Sequence, residues 1–389
     1  MPWHCEHHVT RALLMNVSSK AMGFVPTIHP PSHGAEVSPL LRVQSFNEFD
    51  PLRSVIIGTA HGANHPEFET SFNHFFAPPN GGSEAASRGP TPGHIVTEIE
   101  EDIDGLVREL RRRNVIVFRG RPIQCAQPIQ SPHWKTEQLY SLMPRDTLLV
   151  VGDLVIEVPS PTRARYFETF AFRQIISRHY DAGLCRWIAA PKPELRDESY
   201  STGSSTSDRR LRLGNHEILF DGANCVRMGR DVFIDINRTA NEKGARWLQD
   251  VLGSGFRIHP MHLGEDHCDV TLVPIRPGLI LVDGSRVNAA NLPSQFKSWD
   301  KISLANMPEQ SFGLSYPMAS NGIGRNILML DPDTAVVEEK QTKLIRELER
   351  RRIGVIPLRY RHGRTLGGAW HCITLDLVRE GSGAEDYFL

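Results

Sequence analysis

Asp146-Thr-Leu-Leu-Val-Val-Gly-Asp-Leu-Val-Ile-Glu-Val158 is the stretch from which the fold is read. Thr147–Val151 is apolar and partly β-branched, Gly152-Asp153 is a hairpin turn signal, and Leu154–Val158 is the return strand. Downstream, Arg163–Tyr180 has helical apolar spacing at Phe167, Phe170, Ile175 and Ile176. Gly183 stands where a helix cap is needed, and Trp187–Ala190 predicts a closing strand. The segment therefore spells a ββαβ unit.

The same order recurs on both sides. One copy runs through strands Cys225–Met228 and Val232–Ile236, helix Glu242–Leu252, a stop at Gly253 and strand Phe256–Met261. Another has Val270–Val273, a turn over Pro274–Gly278, Leu279–Val282, a shorter helix near Pro293–Trp299 and strand Lys301–Leu304. A further copy has Ile327–Leu330, Thr334–Val337, helix Lys340–Arg351 and strand Val355–Leu358. A looser first copy opens at Ser54–Ile57, keeps a helix over Ile95–Arg113 and closes with Val115–Phe118; strand Ile373–Val378 would complete the set. Repeats of this size stack around a shared core and tend to place a site at the centre. About five ββαβ units repeated around one axis are expected. Polar residues stand just before the first strand of several units, at Asp146, Asn224, Asp269 and Asn326, where they would ring that centre. Two polar segments, Asn64–Gly93 and Pro191–Asn215, are too long to be simple connections and read as lids or disordered loops.

Composition narrows the function. The 389 residues are 40% hydrophobic and 23% charged, with a formal net charge of −1. Such a balance gives no electrostatic reason to expect nucleic acid or an anionic membrane as partner. No apolar run is long enough for a membrane-spanning helix, and no secretory h-region opens the chain. Residues 1–43 read as a flexible arm and 44–389 as one domain. The six cysteines have no zinc-type spacing and form no C-x-x-C pair, which fits reduced thiols in a cytoplasmic setting. His4, Cys5, His7 and His8 lie on a terminal arm, a poor place for a specific metal site.

Three segments carry chemistry. In Leu366-Gly-Gly-Ala-Trp-His-Cys372 the glycines allow a sharp turn and close approach, and the cysteine opens the last strand. A thiol there is a nucleophile if a neighbour takes its proton, and otherwise a small buried side chain. In Glu265-Asp-His-Cys-Asp269, His267 and Asp269 share a face if the chain is extended, with Cys268 on the other. Phe220-Asp221-Gly222 offers a turn acid that can orient a histidine.

Taken together, these pieces resemble the L-arginine:glycine amidinotransferase family, within the wider group of guanidine-modifying enzymes. The likeness runs from about Ser45 to the C-terminus. It is carried by Ser45-Phe-Asn-Glu-Phe-Asp-Pro-Leu52, Met143-Pro-Arg-Asp146, Ala190-Pro-Lys-Pro193, Phe220-Asp221, Gly229-Arg-Asp231, His267-Cys-Asp269, Asn326-Ile-Leu-Met-Leu330 and the Gly-Gly…His371-Cys372 element. The family fold is itself an α/β-propeller of five modules. The resemblance implies that Cys372 is the nucleophile, His267 the general acid/base and Asp221 the group orienting it. It implies that Asp146 and Asp269 grip a guanidinium, that Arg286 binds the donor's α-carboxylate and that Ser320 touches substrate. It implies small-molecule substrates, L-arginine and an amine, with ping-pong transfer and neither metal nor organic cofactor; it allows a homodimer. The loop His262–Asp266 is shorter than in glycine-specific members, and Gly322 and Gly324 replace bulkier residues. Both departures point to a wider pocket and a bulkier amine, as in natural-product pathways. The competing readings are an arginine-hydrolysing relative that yields citrulline, a non-enzymatic binding protein on the same scaffold, and a papain-like protease.

Overall fold

The computed structural model describes residues 39–76, 88–200, 212–265, 267–381, 383 and 385–388. The arm expected over 1–43, with His4, Cys5, His7 and His8, lies outside the described residues as far as residue 38. Where description begins, Leu40, Leu41 and Val43 pack on a core cluster, and the Val43 N–H donates to the Leu184 carbonyl at 2.8 Å.

Five three-stranded sheets share one topology, an antiparallel hairpin followed by a parallel third strand. Four of them follow chain order. They are Leu148–Val151, Leu154–Glu157 and Arg186–Ala189; Cys225–Met228, Asp231–Asp235 and Arg257–Met261; Leu272–Arg276, Leu279–Val282 and Asp300–Ser303; and Leu328–Asp331, Thr334–Glu338 and Gly354–Leu358. The fifth joins the two ends of the domain. Its first strand is Thr374–Arg379, which pairs antiparallel with Leu52–Ile57, and that strand pairs parallel with Ile116–Arg119. The hairpin strands are nearly continuous apolar runs because they are buried on both faces. A parallel neighbour cannot be reached by a tight turn, so a crossover separates each hairpin from its third strand.

The crossovers differ from the expected ones in two places. Helix Gly93–Arg112 buries Ile95, Ile99, Ile103, Leu106 and Leu110, as its periodicity predicts. Helix Glu242–Leu252 is capped by Asn241, whose side chain accepts from the Gly244 N–H. The expected helix Arg163–Tyr180 is shorter: Arg163–Arg165 and Glu168–Ala171 are separate 3-10 turns, and the α-helix is Arg173–Asp181. Ion pairing breaks the run. Arg163 is drawn to Glu69 and Asp197, and Arg165 to Asp146 and Glu168. Phe167 and Phe170 then meet each other at a tilt, with ring centroids 5.3 Å apart and Phe170 43% exposed, rather than facing the core. The helix expected near Pro293–Trp299 is one 3-10 turn, Ser294–Phe296.

The two polar segments are partly structured. Asn64–His65 pairs with Gly89–Pro90, Thr70–Phe76 is a helix, and Leu195 and Tyr200 join Phe75 and Trp134 in a small apolar cluster. Their remainders, 77–87 and 201–211, lie outside the described residues. Among the described residues no helix is long and apolar enough to cross a membrane.

Candidate active site

Each of the five hairpins is preceded by a short turn that presents a buried side chain. Asp146 lies in the helical turn Pro144–Thr147, and Asp221 precedes the 3-10 turn Gly222–Asn224. Asp269 is in the turn Cys268–Val270, Asn326 follows the turn Asn321–Arg325, and Cys372 stands just ahead of Thr374. Cys372, His267, Asp221, Asp146, Asp269 and Ser320 line a single cavity of about 90 Å³. Asn326 sits behind its wall. Asn224 does not join the ring: its amide is taken up within its own module by the Asp235 carbonyl and Asn237.

The nucleophile loop needs its glycines for two different reasons. Gly367 has φ of +83°, which an L side chain rarely adopts. A Cβ on Gly368 would fall 2.0 Å from Met143 Sδ and 2.9 Å from Cys372 Cβ, so the close approach is to protein. Asn326 ties the loop down: its Oδ1 accepts from the backbone N–H of both His371 and Cys372, each at 3.0 Å, and its Nδ2 donates to Asp269 Oδ2 at 2.8 Å. The same Oδ2 accepts from the Cys372 thiol at 3.2 Å and lies 2.9 Å from His371 Nδ1.

The backbone after His267 turns rather than extends, so His267 and Asp269 meet the cavity from a 3-10 turn, while Cys268 points into the core and donates to the Ala223 carbonyl at 3.2 Å. His267 Nε2 lies 3.0 Å from Asp221 Oδ2, and its Nδ1 lies 3.6 Å from Asp146 Oδ1. Burial alone would lower the pKa of His267; Asp146, Asp221 and Asp269 outweigh it and raise it to about 9. Burial, with Asp269 and Asp146 beside it, pushes the Cys372 thiol well above its usual value. The resting pair is thus a protonated imidazole and a protonated thiol, with no hydrogen bond between them among the described residues. Burial works against the charged form of Asp269 too, but the His371 and Cys372 bonds and the nearby His267 hold its pKa below the usual value.

Three carboxylate oxygens, Asp146 Oδ1, Asp221 Oδ1 and Asp269 Oδ1, are buried and accept no hydrogen bond among the described residues. An unsatisfied buried carboxylate oxygen is costly unless a donor arrives to fill it. The other oxygen of Asp146 is already held by Arg165 at 2.5 Å, and Arg165 is clamped by both oxygens of Glu168. Arg165 and Tyr140, whose ring lies 5.2 Å from the Arg165 guanidinium, line the cavity with Phe75 and Phe76; the sequence singled out none of the four. Arg165 was hidden inside a presumed helix, and Phe75 and Phe76 inside a presumed loop.

Two expectations fare differently. Arg286 lines an adjoining cavity, not the one lined by Cys372, and Glu265 lines both. Gly324 does not widen the site, because a Cβ there would meet the Gln341 amide at 2.5 Å; one on Gly322 would meet Arg325 Nη2 and Ser320 Oγ.

The chain matches no family model. It is 39% identical over 343 residues to inosamine-phosphate amidinotransferase 1 of Streptomyces glaucescens, covering 87% of this chain and 97% of the relative. It is 33% identical over 355 residues to the L-arginine:L-lysine amidinotransferase of Pseudomonas savastanoi pv. phaseolicola, covering 87% and 95%. The solved structure of inosamine-phosphate amidinotransferase StrB1 from Streptomyces griseus superposes with a TM-score of 0.83 at 38% identity, over 89% of this chain and 99% of that one. With its α/β fold and likeness to transferases along most of its length, the chain belongs to the amidinotransferase family and is a transferase rather than a hydrolase of the wider group.

Proposed function

We propose that the chain takes the amidino group of L-arginine onto Cys372, releases ornithine, and passes the group to a primary amine. The reading rests chiefly on Asp146 Oδ1 and Asp269 Oδ1, two buried oxygens without donors in the cavity lined by Cys372. A guanidinium supplies a planar array of N–H donors that two carboxylates can hold by charge-assisted bonds, fixing its carbon for attack. The arriving cation also offsets the carboxylates that keep the thiol protonated. As the cation binds, the thiol releases its proton to solvent and the thiolate adds to the guanidinium carbon, leaving Asp269 ionised to hold the guanidinium. His267 donates its proton to the departing nitrogen; the C–N bond breaks and ornithine leaves, with the amidino group on sulfur. An incoming amine gives a proton to His267, attacks the same carbon and expels the cysteine thiolate, which regains a proton from solvent. Asp221 holds the imidazole. Arg286, next door through Glu265, is the candidate partner of the donor's carboxylate, and Ser320 contacts substrate from the cavity wall.

The acceptor is an amine larger than glycine, of the kind that natural-product pathways supply; relatives named for inosamine phosphate and lysine support this. We further propose that the single domain expected over 44–389 takes in Leu40–Val43 as well, since Leu40, Leu41 and Val43 pack on its core. Its five modules circle a common axis; the shared sheet topology and the buried residue before each hairpin support that arrangement. Intact-mass spectrometry after mixing with arginine alone tests the chemistry. Wild type is expected to gain one amidino group and Cys372→Ala none. Citrulline release without an adduct would overturn the transfer reading.

A further inference from the structure

Ala190-Pro-Lys-Pro193 is part of the likeness to the amidinotransferases, yet the chemistry at Cys372 makes no use of it. The segment lines a separate cavity of about 130 Å³. That wall shares Arg165 with the cysteine cavity, but neither Cys372 nor any of the three acids beside it. The room is close to the roughly 150 Å³ that admits a benzene-sized molecule.

Lys192 is held in place from both ends of its segment. The Ala190 N–H donates to the Glu157 carbonyl at 2.9 Å, and the Pro193 carbonyl accepts from the Tyr166 hydroxyl at 2.9 Å. The Lys192 ammonium lies 3.6 Å from the Tyr166 ring centroid and donates once, to the Tyr166 carbonyl at 2.6 Å. Partial desolvation lowers its pKa to about 8, which leaves it protonated at neutral pH. An ammonium has three N–H donors, so two are without an acceptor among the described residues.

The cavity's other charges are already engaged. Glu157 is gripped by Arg173 through two bonds and accepts from Thr169 and Trp187 as well. Arg165 is taken up by Asp146 and Glu168. Two acids stand near Tyr166 without lining the cavity: Glu194 pairs with Arg196, and Glu217 accepts from the N–H groups of Glu194 and Leu195. Thr147 adds a second unmet demand. It is buried and lines the cavity, and its Oγ1 makes no hydrogen bond among the described residues. Such a hydroxyl is costly until a partner reaches it.

A carboxylate carries the single charge that Lys192 lacks and accepts several hydrogen bonds at once. Val158, Pro159 and Ala189 on the same wall suit a short apolar body. An amine on the ligand would meet Arg165 and Arg173 as well as Lys192, so amino acids are disfavoured. We propose that this cavity binds a small carboxylic acid without an amine, and that its occupant weakens the hold on arginine. Thr147 ends the turn that carries Asp146, and Arg165 grips Asp146 Oδ2. An anion beside Arg165 competes with Asp146 for that guanidinium and loosens the acid that faces substrate. The coupling rests on the amidinotransferase reading; the binding does not.

Propionate serves as probe and propanamide as its uncharged isostere. In ligand-observed NMR on the full chain carrying Cys372→Ala, propionate is expected to bind and propanamide not. Affinity should fall about tenfold on adding Lys192→Gln and about threefold on adding Thr147→Val. In the wild type, saturating propionate should slow Cys372 adduct formation at low arginine about fivefold and then level off. Competition at the donor's own carboxylate site would instead drive the rate to zero. Lys192→Gln alone should form adduct at the wild-type rate and ignore propionate. Absence of binding, equal binding of propanamide, affinity unchanged by both substitutions, or inhibition that runs to zero and persists in Lys192→Gln would overturn the proposal. A wild type that forms no adduct even without propionate would sink the amidinotransferase reading instead, and the NMR titration would then decide the binding alone.

Discussion

Asp269 divides its two oxygens: Oδ2 is saturated by Asn326, His371 and the Cys372 thiol, and Oδ1 accepts nothing among the described residues. Asp269→Asn would keep an acceptor but turn an N–H₂ group toward donors on one side and remove the charge on both. The expected result is a loss of roughly a thousandfold in kcat/KM for arginine with an unchanged circular-dichroism spectrum; a loss under tenfold would mean that Asp269 does not hold the substrate. His267 sets the alkaline limit. Its pKa is raised to about 9, so the imidazolium needed by the leaving nitrogen persists across neutral pH and disappears above about 9. Adduct formation should decline there, and Asp221→Asn, which removes one stabilising carboxylate, should move the limb to lower pH. The stability sign agrees. A raised folded pKa contributes in full below the unfolded value near 6.5 and is lost as pH rises through about 9. The wild-type melting temperature should therefore fall over that window more than that of His267→Gln. At this scale the sequence was informative where chemistry needs rare residues in fixed order, as at His267 and Cys372. It was silent on Arg165, which lines the cavity and holds Asp146, 19 residues away.

Helix Glu242–Leu252 matches its expected bounds because both ends carry local signals. Asn241 caps it, and Gly253 has φ of +67°. Asn241 does more than cap: its Nδ2 donates to the carbonyls of Gly214 at 2.7 Å and Glu217 at 2.9 Å, binding the segment that leads to Asp221. Asn241→Ala should cost about 1–3 kcal/mol of unfolding free energy in a urea titration, and Asn241→Asp, which keeps the capping oxygen but loses the donor, should recover only part of it. Equal stability of Asp and wild type would show that the cap alone matters. Arg163–Tyr180 failed as a helix for the converse reason. Its aromatic spacing satisfied the local pattern, while the decisive forces were ion pairs to residues as distant as Glu69 and Asp197. Local periodicity reports a segment's own face and cannot register a partner that the fold brings in from elsewhere.

The modules are joined by charge as well as by apolar packing. Arg227, 1% exposed, donates to Glu48 at 2.8 and 2.6 Å, to Asp376 at 2.8 Å, to Ser45 Oγ at 2.7 Å and to the Val150 carbonyl at 2.9 Å. Arg145 binds Asp376 too, and reaches the Thr374 carbonyl at 2.9 Å and that of His371 at 3.2 Å. One network thus spans the entry segment, two neighbouring hairpins and the strand that closes the first sheet, and it ends beside the nucleophile. No sequence pattern announces it, since Ser45 and Asp376 are separated by 331 residues. Within such a network, deleting one cation leaves buried carboxylates uncompensated, which costs more than the intact pair contributes. Arg227→Met should therefore lower unfolding free energy by about 3–5 kcal/mol, and Arg227→Lys should rescue little, because an ammonium lacks the fork that serves Glu48, Asp376 and Ser45 together. Adduct formation on Cys372 should slow in the same variants, as Glu48 lies 3.3 Å from His371 Nε2. An Arg227→Met protein with an unchanged denaturation midpoint would place the closure in the apolar hairpins alone; one that unfolds early yet forms adduct at the wild-type rate while folded would separate closure from catalysis.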